Sequence, residues 1–111
     1  MKKWYSVRCI FHHPTRNKKK DEYLYEERIL LWQANDLDQA IEMAEEEAKL
    51  YEKNANCIYI GLAQGYHTYI VKPESGSEVF SLMREDESPP ADYLDFYFDT
   101  GEERQTNYKE D

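Results

Sequence analysis

Four segments of this chain carry apolar residues on both strand faces, yet only one long amphipathic helix is available to cover them. Residues 4–12, 24–33, 58–71 and 77–84 read as strands, and residues 36–53 read as the helix. A second apolar sheet face on a small protein is usually buried against a copy of itself or a partner. That arithmetic points to an interaction protein. At 111 residues the chain is expected to form one domain over residues 1–101, with a polar tail at 102–111.

Strand one alternates cleanly. Tyr5, Val7, Cys9 and Phe11 fall on one face, and Trp4, Ser6, Arg8, Ile10 and His12 on the other. Pro14 ends it, and a polar connection leads to YLYEERILLWQA from Tyr23. That second strand is apolar on both sides, which suits the middle of a sheet. If the two strands form a hairpin, Trp4, Ile10, Leu30 and Trp32 are expected on one face, where a dimer could bury them.

Asp36 is positioned to cap the helix, with Gln39 three residues on to complete a capping box. Leu37, Ala40, Ile41, Ala44, Ala48 and Tyr51 form its apolar stripe, and Glu42, Glu45, Glu46 and Glu52 the opposite surface. Gly61 and Gly65 interrupt the third strand and predict a bulge or a close backbone approach. Pro73 to Gly76 reads as a turn before a fourth strand, GSEVFSLMR. Ser88 and Pro89 open a short last helix packed through Tyr93, Leu94, Tyr97 and Phe98. The expected fold is α+β with order ββαββα: a four-stranded antiparallel sheet, the long helix on one face, and the short C-terminal helix across an edge or the far face.

Charge narrows the partners. The chain carries a formal −9, with residues 1–28 at +4 and the remainder at −13. Such a surface repels phosphate backbones and anionic membranes and attracts basic protein surfaces. Nucleic-acid and membrane partners are therefore not expected. A basic partner would meet the acidic helix and C-terminal region, including Glu45, Glu46, Asp92, Asp95 and Asp99. The basic run at 16–20 reads as a solvated loop tip. Ser6 and Arg8 break the first apolar stretch, so neither a signal peptide nor a membrane span is expected, and a cytoplasmic location is the default.

No catalytic or cofactor motif accompanies these features. Cys9 and Cys57 read as buried free thiols within strands. His12 falls on the face opposite Cys9, and His13 stands beyond Phe11, so no metal site is expected. Arg8, Glu26 and Arg28 read as a cross-strand ion-pair ladder, with no catalytic role expected for Glu26 and Glu27. Ten tyrosines are present, and tyrosine suits half-buried faces and interfaces. Tyr59, Tyr66, His67 and Tyr69, beside Gly61 and Gly65, form the best candidate for a shallow recognition surface, and the alternative function is small-ligand binding there.

YEERILLW at 25–32, IYIGLAQGYH at 58–67, GSEVFSLMR at 76–84 and PPADYLDFYFDTGEERQ at 89–105 resemble a family of short bacterial proteins. That family is known as domain of unknown function 4288. The resemblance runs from Trp4 to Gln105 and implies no activity, because no catalytic residues are established for the family. Short acidic proteins of this kind often look like immunity proteins that neutralise a toxin, by analogy alone. The expected function is thus a small acidic protein-interaction module, either an immunity-type inhibitor of a basic partner or a homodimeric accessory protein.

Overall fold

The computed structural model describes residues 2–14 and 23–98. They fall into two compact units divided between Ser81 and Leu82. The first holds strands β1 (Lys3–His12), β2 (Tyr25–Ala34) and β3 (Ile58–His67) and helix α1 (Leu37–Ala55). The strands form one antiparallel sheet in the order β2-β1-β3.

The central place of β1 explains its burial. Tyr5, Val7, Cys9 and Phe11, which alternation set on one face, are all buried beneath α1. Ala40, Ala44 and Ala48 of α1 are buried against them, and such small side chains let a helix lie close on a sheet. Phe11 is fully buried, with its ring against Tyr51 at 4.9 Å and Tyr59 at 5.6 Å. Burying a side chain of that size contributes about 1.5–3 kcal/mol.

The start of α1 follows the sequence. The Asp36 carboxylate accepts from Gln39 N–H at 2.8 Å, while Gln39 Oε1 accepts from Asn35 N–H at 2.6 Å. The reciprocal bond of the capping box therefore reaches one residue further back than the standard pattern. Asn56 closes the helix in a left-handed conformation (φ 54°), which asparagine tolerates better than most residues. Cys57 follows as a buried free thiol just before β3, outside the strand in which the pattern placed it.

The two glycines of β3 have separate jobs. The register with β1 slips between Cys9 and Phe11, where Ile60, Gly61 and Leu62 face the single residue Ile10. Gly61 takes φ 84° in this bulge. At Gly65 the constraint is proximity, since a Cβ there would sit 2.5 Å from Leu37 Cδ1.

Among the described residues the sheet has three strands, which corrects the expected four and the order ββαββα. β3 ends at His67 because Thr68 turns the chain. Its hydroxyl donates to the Trp4 carbonyl at 2.8 Å, and Tyr69 adopts φ 59°. Residues 76–84 then run without strand pairing. Within this first unit, Phe80 instead lays its ring 5.7 Å from Tyr66 and 5.0 Å from the Arg8 guanidinium. Side-chain contact with the outer sheet face takes the place of a backbone ladder.

The second unit contains helix α2 (Pro90–Phe98). Its own contacts are polar and aromatic. Asp86 accepts from Ser88 N–H at 2.8 Å and from the Tyr97 hydroxyl at 3.0 Å. The Arg84 guanidinium lies 4.3 Å from the Tyr97 ring centre. The basic run at 16–20, Asp99 and the tail at 102–111 lie outside the described residues.

Candidate functional site

Register decides which sequence candidates meet. β1 and β2 pair Tyr5 with Trp32, Val7 with Leu30, Cys9 with Arg28 and Phe11 with Glu26. Residues directly opposite share a face, so Leu30 and Trp32 lie on the α1 side. Trp4 and Ile10 lie on the outer side. The expected Trp4–Ile10–Leu30–Trp32 face is thereby corrected. A two-sided apolar strand gives no periodic signal for which set points inward.

The expected ladder is corrected for the same reason. Arg8 is on the outer face, where it donates to Glu27 Oε1 at 2.9 Å and also bonds Gln64 Oε1. Glu26 and Arg28 are on the inner face and turn to the helix. Arg28 pairs with Glu47 and lies 3.9 Å from the Tyr51 ring centre.

Glu26 anchors a cluster that the sequence did not announce. Its Oε1 contacts His13 Nε2 at 2.7 Å, and the Tyr51 hydroxyl donates to both carboxylate oxygens at 2.9 and 3.0 Å. His13 is almost fully buried, and its backbone N–H donates to the Leu24 carbonyl at 2.9 Å. Partial burial alone would raise the Glu26 pKa, but the bonds from His13 and Tyr51 outweigh it and hold the group below its ordinary value. The same bond to Glu26 raises the pKa of the Tyr51 hydroxyl. The cluster ties both ends of the β1–β2 connection to the last turns of α1. Alternation had set His13 on the Cys9 face, and Tyr51 was on the helix stripe, but the β2 register was missing.

The tyrosine and glycine strand does not build one surface. Tyr59 lies on the inner face, with its hydroxyl donating to Glu45 at 2.7 Å, whereas Tyr66 is on the outer face and donates to Glu78 at 2.7 Å. His67 returns to the inner face at the far end of β3, 5.0 Å from Tyr5. Tyr69 is past the strand, exposed, and stacked on His67 at 3.9 Å. Tyr59 and Tyr66 thus point away from each other, which removes the geometric basis of the proposed recognition surface. A crevice of about 170 Å3 between Val7, Cys9, Arg28, Leu30, Trp32, Ala44 and Glu47 has no room for a water-sized sphere.

Cys9 and Cys57 are both buried, and burial pushes both thiols up. Raised thiols are poor nucleophiles at neutral pH. The histidines are dispersed: His12 packs near Tyr23 and Tyr25, His13 on Glu26, and His67 between Tyr5 and Tyr69. Among the described residues, no three His, Cys, Asp or Glu side chains group as a metal site. No helix among them is long and apolar enough to cross a membrane.

The remaining candidate is the part of the outer sheet face that Phe80 leaves open, together with the sheet edges. On the outer face Tyr25 is 56% exposed and Ile29 41% exposed, and β3 leaves Ile58, Ile60 and Leu62 about half exposed. Both β2 and β3 are edges of the sheet, but they end differently. On β3 the bulge breaks the edge, and Tyr59 N–H donates to Glu52 Oε2 of α1 at 2.7 Å. On β2 ten residues run without Gly, Pro or bulge. Among the described residues, no backbone group pairs with the outer edge of β2.

No curated protein and no solved structure matches this chain. A family model does match, over residues 4–81, which is the first unit almost entire. The chain belongs to the family described as Domain of unknown function (DUF4288).

Proposed function

We propose that this protein is a protein-interaction module that works through the outer face and the β2 edge of its sheet. The observation that carries the reading is the contrast between the two edges. β3 is broken by a bulge and capped by Glu52, while β2 presents an unbroken strand flanked by exposed Tyr25 and Ile29. An open, regular edge with apolar neighbours is a template for an added strand, and proteins that do not use such an edge blunt it.

Charge supplies the preferred sign of a heterologous partner. With −9 overall, and Asp38, Glu42 and Glu46 exposed along α1, the protein favours a basic surface and speeds encounter with it. An immunity-type inhibitor and an accessory protein both fit this reading, and neither requires chemistry from the chain itself.

Affinity capture from lysate of the source cell, with wild-type and Ile29→Lys baits side by side, tests it. The reading expects a bound protein that is retained by wild type and lost by the variant. Identical retention by both baits, or none by either, contradicts it.

A further inference from the structure

We infer that the β2 edge pairs with the β2 edge of a second copy of this chain, antiparallel, about a two-fold axis through Leu30. This rests on the interaction reading above and deepens it by naming the partner. The first support is the edge itself. Among the described residues β2 is paired on one side only, and its ten residues are uninterrupted. Two such edges meeting about a two-fold axis satisfy each other's backbone groups with no change of fold.

The second support is charge and polarity along the strand, YEERILLWQA. A two-fold axis perpendicular to the sheet sets each residue opposite another on the same face, so only a few registers need comparison. An axis at Glu27 sets Glu27 against its own copy, and an axis at Arg28 sets two guanidinium groups together. Like charges directly opposite are destabilising. An axis at Ile29 sets Glu26 opposite Trp32 and Glu27 opposite Leu31, and an axis at Leu31 pairs only the seven residues Arg28–Ala34 and sets Ile29 opposite Gln33. With the axis at Leu30, Leu30 meets Leu30, Ile29 meets Leu31, and Arg28 meets Trp32. Glu27 then faces Gln33, and Glu26 faces Ala34. This register sets apolar side chains together at its centre and opposes no like charges over nine residues, Glu26–Ala34.

One exposed apolar residue lies where this pairing needs it. Ile29, 41% exposed on the outer face, gains Leu31 of the second copy as its neighbour. The two chains carry −9 each, so their long-range interaction is repulsive and salt relieves it. The self-pair therefore tightens as salt rises. A complex with a basic protein does the reverse.

Sedimentation equilibrium of the full chain, from low to high micromolar at low and high salt, reads the assembly directly. The proposal expects a dimer that tightens with salt. Gln33 is exposed and faces Glu27 across the axis, so Gln33→Lys should tighten the dimer and Gln33→Glu should loosen it. Two symmetric cross-strand pairs change the dissociation constant by roughly two- to thirty-fold in each direction. A second readout uses the double variant Glu27→Cys with Gln33→Cys. Directly opposite residues are close enough for a disulfide, so mild oxidation should give a covalent dimer. A monomer at every concentration, equal effects of Lys and Glu at position 33, or a double variant that stays monomeric on oxidation overturns the proposal. A monomer that still captures a partner through Ile29 overturns self-pairing alone and leaves the interaction reading standing. Failure of both experiments removes both.

Discussion

Removing the Glu26 carboxylate should cost far more than removing that of its neighbour Glu27. Glu26 is half-buried and accepts from His13 Nε2 at 2.7 Å and from the Tyr51 hydroxyl at 2.9 and 3.0 Å. Glu27 is exposed, and among the described residues its ion pair is with Arg8. A hydrogen bond to a charged acceptor contributes about 1.5–3 kcal/mol, and an orphaned buried donor adds its own desolvation cost. Glu26→Met strands the buried His13 side chain and the Tyr51 hydroxyl together. Part of the loss is recovered because the site is partly wet, so about 2–4 kcal/mol is the expected destabilisation. Glu26→Gln keeps one acceptor oxygen and the shape, and should cost about 1 kcal/mol. Glu27→Met breaks an exposed pair worth about 0–1 kcal/mol. Urea unfolding followed by tryptophan fluorescence measures all three, given that Trp4 and Trp32 report from opposite faces of the sheet. At roughly 4–8 °C per kcal/mol for a domain of this size, a thermal melt should separate the variants as well. Equal losses for Glu26→Met and Glu27→Met would refute the reasoning, since they would show that the His13–Glu26–Tyr51 cluster contributes nothing.

Stability should also fall at acid pH through Glu26. Its folded pKa is depressed, so the contribution is fully present above its unfolded value of about 4.3 and is lost as pH falls through the lower folded value. Glu26→Gln should flatten that limb, as read by denaturant midpoints across the acid range. Gly61→Ala should cost about 1–2 kcal/mol although nothing lies within 4 Å of the added methyl, because φ 84° strains an alanine backbone. Gly65→Ala meets Leu37 Cδ1 at 2.5 Å, but that methyl ends a partly exposed side chain that can swing away, so a smaller loss is expected in the same chemical denaturation. Phe11→Ala should cost about 3–5 kcal/mol by the same assay, since the ring is fully buried against Tyr51 and Tyr59.

Local signals were legible wherever one face of an element differed clearly from the other. The alternation of β1 grouped Tyr5, Val7, Cys9 and Phe11 on one face, which the structure shows to be the inner one, and the alanine stripe and Asp36 cap placed α1. The glycines of β3 predicted a bulge or a close approach, and the structure has one of each. Where both faces were apolar the pattern was silent. β2 reads the same in either register, so Leu30 and Trp32 were set on the wrong side, and Arg8 was joined to Glu26 instead of Glu27. Pairing across a long connection is fixed by tertiary contacts, here with His13 and Tyr51 gripping Glu26. The segment GSEVFSLMR misled for a related reason. Its alternation is real, but Phe80 uses it to pack on Tyr66 and Arg8 without a backbone ladder. The open β2 edge was out of reach altogether, because edge or centre is a property of strand order. A strand apolar on both sides had argued for the centre, and β1 holds that place.

Hydrogen exchange along Tyr25–Ala34, recorded from dilute to concentrated protein, tests the central claim most directly. In an antiparallel edge strand, alternate amides bond to β1 and the others point outward. The outward amides should exchange quickly in dilute protein and become protected as concentration rises, while those of residues 78–84 stay unprotected throughout. Uniform protection of β2 at every dilution, or strand-like protection of residues 78–84, would contradict an open β2 edge on a three-stranded sheet.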